Sequence, residues 1–232
     1  MYTLHIANKN YSSWSLRPWL LLRALGIPFR EVLTPFSPTR RNDYLRFSPS
    51  GKVPCLIDGD LAVWDSLAIV EYLAERHPGV WPDAAAARAW ARCACAEMHS
   101  GFAALRNLHG MNVGVRVSVA ARAAEVDADI QRIEVLWNEG LQRFGGPFLA
   151  DASFGAVDAF FGPVAFRCQT YGVEPHGAAA DYLARLLQVP AMREWEAAAL
   201  AETWRDPPHE AELAESGDLI ADLRAVAPAP TP

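Results

Sequence analysis

Short apolar runs separated by turn residues make up the first part of the chain. Tyr2 to Ala7 alternates apolar and polar residues, which is the pattern of a half-buried β-strand. Leu16 to Leu25 is a mostly apolar run that predicts a helix, and Gly26 follows where a helix C-cap is expected. Residues 27–33 have the pattern of a second strand, so the chain is predicted to open with the order strand, helix, strand.

A hairpin and a second helix are predicted to complete this part. Strand patterns occur at 53–57 and 61–64, and the intervening Asp-Gly-Asp favours a tight hairpin turn. The following helix is expected to be capped by Asp65 or Ser66 and to run to His77, before a Pro-Gly pair. Residues 1–78 are therefore predicted to form a βαβ-ββα domain.

The remainder of the chain has helical periodicity. Helices are predicted at about 84–108, 119–144, 156–171 with a kink at Pro163, 178–187, and from Pro190 to about 203. We expect an all-α domain at residues 84–224 and a frayed tail of low complexity at 225–232. The predicted fold class is α/β plus all-α.

Composition narrows the classes of function. The 232 residues are 51% hydrophobic and 21% charged, which is typical of a globular protein and not of a disordered one. A net charge of -6 with scattered basic residues argues against a nucleic-acid partner. No apolar run reaches the roughly 20 residues of a membrane helix, and Met1 leads directly into a strand pattern, so we expect no membrane partner and a cytoplasmic location.

Sequence motifs for metals, nucleotides and disulfides are missing as well. The four cysteines include no CxxC pair, and the chain contains no His-x-x-x-His or GxGxxG pattern. We therefore expect neither a disulfide framework nor a metal site, and no nucleotide cofactor.

Two adjacent serines precede the first helix. Ser12 and Ser13 lie where unpaired backbone N–H groups and the helix dipole favour an anion, so a ligand thiolate would be stabilised there. The alternative is that these hydroxyls only cap the helix. The pattern alone is compatible with both interpretations.

Four segments, in the right order, resemble the cytosolic glutathione transferases. Residues 12–17, SSWSLR, resemble the SSCSWR signature of the zeta class, and residues 51–56, GKVPCL, resemble the strand that carries a cis-proline. The Asp65-Ser66 pair is similar to the family's acidic-Ser pair, and FGAVDAFF at 154–161 is similar to the helix start of its second domain. The resemblance is to bacterial, zeta-like, serine-type members, similar to maleylacetoacetate isomerase. It implies a thioredoxin-like βαβ-ββα domain followed by an α-helical bundle domain.

The resemblance also implies roles for individual residues at a glutathione site. Ser12, which takes the place of the family's catalytic serine and is the first choice, or the adjacent Ser13 would donate a hydrogen bond to the sulfur and stabilise the thiolate. The backbone of Val53, before a cis Pro54, would pair with the cysteinyl unit, although a trans proline at an edge strand is the alternative. The remaining implied glutathione-binding residues are Lys52, Asp65 and Ser66.

Each of these last three residues has an alternative interpretation. Asp65 and Ser66 would hold the ammonium and carboxylate of the γ-glutamyl unit, or they would only cap a helix. Lys52 would reach the glycyl carboxylate, or it would simply be a solvated loop residue. Gly155, three residues before Asp158, is expected to be a structural N-cap.

The second substrate is expected between the two domains. The candidates are Trp14, Arg106, His109, Met111 and Asn112, and the alternative for them is ordinary packing or surface exposure. Trp14 stands where the zeta class has Cys, which removes the thiol that a thioltransferase would use. Cys55 is expected to point into the core.

The expected function is that of a glutathione S-transferase. Glutathione, as co-substrate, would be bound as thiolate and conjugated to an apolar electrophile, or would isomerise a substrate by reversible addition, in a role such as detoxification. The alternatives are a non-catalytic glutathione-transferase-like protein, of the stringent-starvation or scaffolding kind, and a glutathione-dependent peroxidase. A homodimer is expected, because the helix from residue 84 carries apolar residues around much of its surface.

Overall fold

The computed structural model describes residues 1–225, and a four-stranded sheet lies near the start of the chain. Its strands are β1 (Tyr2–Ile6), β2 (Phe29–Leu33), β3 (Cys55–Asp58) and β4 (Leu61–Trp64). They are arranged in the order β2-β1-β3-β4, with β2 parallel to β1 and both β3 and β4 antiparallel to their neighbours. This is the predicted thioredoxin-like sheet.

Three helices accompany the sheet: α1 (Ser13–Ala24), α2 (Arg40–Tyr44) and α3 (Ser66–Ala74). Helix α1 begins three residues before the predicted start, because Ser12 occupies the N-cap position. Gly26 ends the helix with φ +65°, as the C-cap prediction requires. The Ile27 N–H still donates to Leu22 O in this terminal turn, which explains why β2 begins later than predicted.

Seven further helices follow in the described part of the chain. They are α4 (Ala85–Ser100), α5 (Ala103–Leu108), α6 (Ala124–Phe144), α7 (Ala156–Tyr171), α8 (Ala178–Gln188), α9 (Pro190–Ala201) and α10 (Pro207–Ser216). Over residues 1–225, none of the helices has the length and apolar character needed to cross a membrane. A thioredoxin-like sheet followed by a helical region confirms the predicted fold class.

The predicted single helix at 84–108 is wrong, because the chain breaks it at Gly101 and Phe102. Phe102 adopts a left-handed conformation with φ +53°, which costs a non-glycine residue free energy. Its side chain is buried in the core, and that burial offsets the cost. Helix α5 then restarts with its Leu105 N–H donating to Asp129 Oδ2 of α6 at 2.9 Å.

A small second sheet also corrects the all-α prediction. Strands β5 (Val115–Ser118) and β6 (Asp218–Asp222) pair antiparallel, although their positions are about a hundred residues apart in the chain. Ala225, the first residue of the predicted frayed tail, donates its N–H to Leu200 O at 2.7 Å. Residues 226–232 of that tail lie outside the described residues.

Helix α7 is the centre of the core. All of its residues except Gln169 are buried, and it continues through Pro163 as one helix. At its start, Asp158 accepts hydrogen bonds from the N–H groups of Leu149 at 3.1 Å and Gly155 at 2.9 Å. Helix α7 packs along α1, the helix that begins at Ser13.

Candidate functional site

A cleft of about 440 Å³ opens at the N-terminal end of α1. Seven of its lining residues belong to the set singled out from the sequence: Ser12, Ser13, Trp14, Lys52, Val53, Arg106 and Met111. These residues come from the start of α1, the segment before β3, and the region of α5 and the loop after it. The structure therefore brings the serine pair, the segment before the proline and part of the second-substrate set to one cavity.

The two serines differ in their hydrogen bonding. Ser12 is the N-cap residue of α1, but its side chain makes no capping bond and donates to Ser15 Oγ at 2.7 Å. Ser15 Oγ in turn accepts from the Ala7 N–H at 3.3 Å. Ser13 also lines the cleft, and its hydroxyl takes part in none of the hydrogen bonds found within residues 1–225. Side-chain capping by Ser12 is thus absent, and the Ser13 hydroxyl is available to a ligand.

The segment before β3 contributes the next part of the wall. The Val53–Pro54 peptide bond is cis, as the resemblance implies. Val53 lines the cleft, whereas Pro54 is buried beneath it. Lys52 also lines the cleft, and its side chain is exposed.

Asp65 and Ser66 lie at the junction of β4 and α3, outside the residues that line the cleft. Asp65 has φ +76°, a strained conformation for a non-glycine residue, and its Oδ1 caps α3 by accepting from the Leu67 N–H at 2.8 Å. Its Oδ2 lies 3.4 Å from His99 Nε2. Ser66 is 1% exposed, and its Oγ is a buried polar atom with no hydrogen-bond partner in residues 1–225.

His109 and Asn112 are not part of the cleft wall. The His109 ring packs edge-on against Tyr171 with centroids 4.3 Å apart, and burial lowers the pKa of the imidazole. Asn112 is 2% exposed, and its backbone carbonyl accepts a hydrogen bond from Thr170 Oγ1 at 2.7 Å. For these two candidates from the second-substrate set, the structure favours the packing interpretation.

Several cleft residues were missed by sequence reasoning. Those from the first half of the chain are Tyr11, Phe36, Arg40, Arg41 and Tyr44, and those from the second half are Arg167, His209 and Glu212. Tyr11 could have been found, because it precedes the serine pair directly. His209 could not, because α10, which was not predicted, brings its ring to within 4.9 Å of Tyr11 and 4.8 Å of Phe36.

The cysteines are separate from this cavity. Cys55 is fully buried and its Sγ donates to Phe47 O at 3.4 Å, so the expectation that it points into the core is confirmed. Burial raises the pKa of the Cys55 thiol to about 11. No cysteine is among the residues that line the cleft in the described chain. A thiol that reacts in the cleft would therefore come from a ligand.

Comparisons with known proteins support the likeness seen in the sequence. Residues 11–76 match the family described as glutathione S-transferase, N-terminal domain. The chain is 27% identical over 202 residues to the glutathione S-transferase-like protein OpS6 of Beauveria bassiana, covering 76% of this chain and 88% of that one. It is 26% identical over 176 residues to a stringent starvation protein A homolog of Pasteurella multocida, covering 73% and 78%.

A solved structure agrees with these matches. The theta class glutathione S-transferase of Xanthomonas axonopodis pv. citri, with glutathione bound, superimposes with a TM-score of 0.63 at 26% identity, covering 83% of this chain and 95% of that one. The first domain matches a transferase family, and the described chain has the two-domain fold of these enzymes. The chain is therefore similar to the glutathione S-transferases, in its N-terminal segment by sequence and over most of its length by fold.

Proposed function

We propose that this protein binds glutathione as a thiolate at the start of α1 and transfers it to an electrophile bound in the same cleft. The observation that carries the proposal is that Ser12, Ser13 and Val53 line one cavity at a helix N-terminus. The unpaired N–H groups and the dipole at such a helix end favour an anionic sulfur. The solved theta class relative, by its description, has glutathione bound.

The orphaned hydroxyl of Ser66 supports the fit of glutathione. A buried donor without a partner costs about 1–3 kcal/mol, and a ligand carboxylate would remove that cost. In the proposed pose, the γ-glutamyl carboxylate is held by Ser66, and Asp65 helps to hold the ammonium. The backbone of Val53 pairs with the cysteinyl unit as an added strand would, and the exposed Lys52 meets the glycyl carboxylate.

One hydrogen bond from a serine hydroxyl can supply the free energy required to stabilise the glutathione thiolate. Lowering a thiol pKa from about 8.5 by about two units needs about 2.7 kcal/mol, since one unit is 1.36 kcal/mol. A charge-assisted hydrogen bond supplies about 1.5–3 kcal/mol. Ser12 would have to turn its hydroxyl away from Ser15, whereas the Ser13 hydroxyl makes no hydrogen bond within residues 1–225 and is the better placed donor.

The test is a titration of the bound glutathione thiol, followed by thiolate ultraviolet absorbance. In the double variant Ser12→Ala Ser13→Ala, we expect the pKa of the bound thiol to rise by about one to two units. Ser100→Ala removes an exposed hydroxyl at the end of α4 and should leave the titration unchanged. Identical titrations in the wild type and the double variant would contradict the proposal.

A second candidate function is that of a non-catalytic glutathione-binding protein. The similarity to a stringent starvation protein A homolog favours it, because that match covers most of both chains. Both functions predict glutathione binding, and only the transferase predicts conjugation at a rate that rises with pH as glutathione ionises. A glutathione-dependent peroxidase would use the same serines, so activity with a peroxide must be measured beside conjugation. The zeta-like assignment and the isomerase activity also stay predictions.

We also propose that the protein is a homodimer, although the helix that begins near residue 84 does not supply the apolar surface expected from its sequence. Apolar residues of α4 and α5 such as Ala94, Met98 and Leu105 are buried within the chain and leave no broad apolar surface there. A different feature supports the proposal. Strand β4 lies at the edge of the sheet, and its Leu61 and Trp64 are 49% and 46% exposed.

A further inference from the structure

Three guanidinium groups lie near one another without a carboxylate partner. Arg17 of α1, Arg106 of α5 and Arg167 of α7 form no ion pair within residues 1–225. Arg17 is 1% exposed and Arg167 is 4% exposed. In contrast, the buried Arg224 is paired with both Glu210 at 2.6 Å and Asp222 at 2.7 Å. Because burying an unpaired charge is costly, the unpaired cluster calls for an explanation.

The indole of Trp14 makes cation–π contacts with two arginines of the cluster, Arg17 and Arg106. The Arg17 Cζ lies 4.1 Å from the centroid of this ring, and the Arg106 Cζ lies 5.3 Å from it. The Arg17 Cζ also lies 4.9 Å from the Phe160 ring centroid. An aromatic face attracts a cation but carries no net charge, so these contacts leave the positive charges uncompensated.

Most hydrogen-bond donors of the cluster are weakly used. Arg17 donates only to Met98 O at 3.4 Å, and its Nε and Nη1 are buried without a partner. Arg106 donates to His99 O at 3.4 Å, and its Nε is likewise unpartnered. Arg167 makes the one short bond, from Nε to His109 O at 2.8 Å. The cluster therefore has unused donor capacity as well as unbalanced charge.

The arginines also oppose one another electrostatically. Burial first, and then the charges of Arg167 and Arg106, lower the pKa of Arg17 to about 9. Burial and the charge of Arg106 lower the pKa of Arg167 to about 10. Asp65 and Cys95 act on Arg17 in the opposite direction, but they are the smaller contributions. An anion placed beside the cluster would relieve this repulsion.

We propose that Arg106 and Arg167 bind a carboxylate of the second substrate. Both arginines line the cleft that also contains Ser12 and Ser13, so an anchored substrate would share the cavity with the glutathione sulfur. The inference rests on the proposed function and narrows it to electrophiles that carry a carboxylate. Arg17, which does not line the cleft, adds positive charge from the core. The acid among the lining residues, Glu212, is exposed.

Two glutathione conjugates of matched size test the proposal. S-butylglutathione ends in a methyl group where S-(3-carboxypropyl)glutathione ends in a carboxylate. Calorimetry gives the affinity of the protein for each conjugate. We expect the wild type to bind the carboxylated conjugate about 10- to 100-fold more tightly, as one charge-assisted hydrogen bond would supply. Arg106→Gln should abolish this preference and leave the affinity for S-butylglutathione unchanged.

Arg40→Gln is the matched control, because Arg40 also lines the cleft and its loss removes the same charge. The preference should survive in this variant. Equal affinities for the two conjugates in the wild type would overturn the inference while leaving the proposed function intact. A loss of affinity for free glutathione in Arg106→Gln would also overturn it, because the bound carboxylate would then be glutathione's own. Failure of the wild type to bind glutathione or either conjugate would overturn both proposals.

Discussion

At the scale of single residues, the clearest departure from ordinary chemistry is the buried carboxyl of Asp158. Burial raises its pKa to about 6, while hydrogen bonds from Leu149 N, Gly155 N and the Tyr182 hydroxyl oppose the rise. The folded state therefore holds the proton to a higher pH than the unfolded chain, whose carboxyl has a pKa near 3.8. The contribution of this group to stability must then fall as the pH rises between these two values.

Replacing Asp158 by Asn should remove that pH dependence. We expect the difference in unfolding free energy between the wild type and Asp158→Asn to change with pH from about 4 to about 6 and to be flat outside that window. The wild type should lose stability relative to the variant as the pH rises. Denaturant unfolding at a series of pH values measures this. Asp181→Asn, at an exposed position, is the control, and a flat difference for Asp158→Asn would contradict the assigned titration.

The serine pair shows which site residues can be predicted from the local sequence. Ser12 and Ser13 were found because helix starts have a local signature, and the structure places both in the cleft. Arg167 and His209 have no such signature, since each lies within a helix and reaches the cleft only through tertiary packing. The sequence therefore identified the serine pair and part of the lining from the helical region, including Arg106, but not the residues that α7 and α10 contribute.

At the scale of elements, tertiary packing determines helix breaks and strand pairings that the local sequence pattern does not predict. The long apolar pattern at 84–108 contains no proline, yet the chain breaks at Phe102 because the core accommodates that side chain in a left-handed turn. Strands β5 and β6 were missed because each needs the other, and they are far apart in the chain. Elements with their own turn or cap residues, such as α1 with Gly26, were predicted well.

A substitution of Gly140 in α6 tests the close packing between α6 and α4. A Cβ at this position would lie 2.4 Å from the Trp90 ring of α4 and 2.5 Å from Leu149 O. Alanine favours a helix by about 1 kcal/mol over glycine, but overpacking typically costs about 1–3 kcal/mol. Because one of the opposing atoms is backbone, we expect Gly140→Ala to lower the unfolding free energy by about 1–2 kcal/mol.

Denaturant unfolding measures this effect, with Gln131→Ala on the exposed side of α6 as the control. The control should stay within about 0.5 kcal/mol of the wild type. A stabilised Gly140→Ala variant would show that helix propensity outweighs the contact between α4 and α6.

At the scale of the whole molecule, the proposed dimer can be tested by mass. Sedimentation at micromolar concentration should give a mass twice that of the 25.5 kDa chain. Trp64→Glu, which places a charge on the exposed edge strand, should shift the mass towards that of a single chain, because a buried unpaired charge opposes association. A wild-type mass near that of one chain would contradict the dimer.

The central claim is that the cleft at the start of α1 binds glutathione with its sulfur at the serine pair. A crystal structure of the wild-type protein grown with saturating glutathione tests it most directly. We expect the sulfur to lie within about 3.5 Å of Oγ of Ser13 or Ser12, with the γ-glutamyl carboxylate at the Ser66 hydroxyl. A cleft without glutathione under these conditions, or a bound molecule whose sulfur points away from both serines, would contradict the claim.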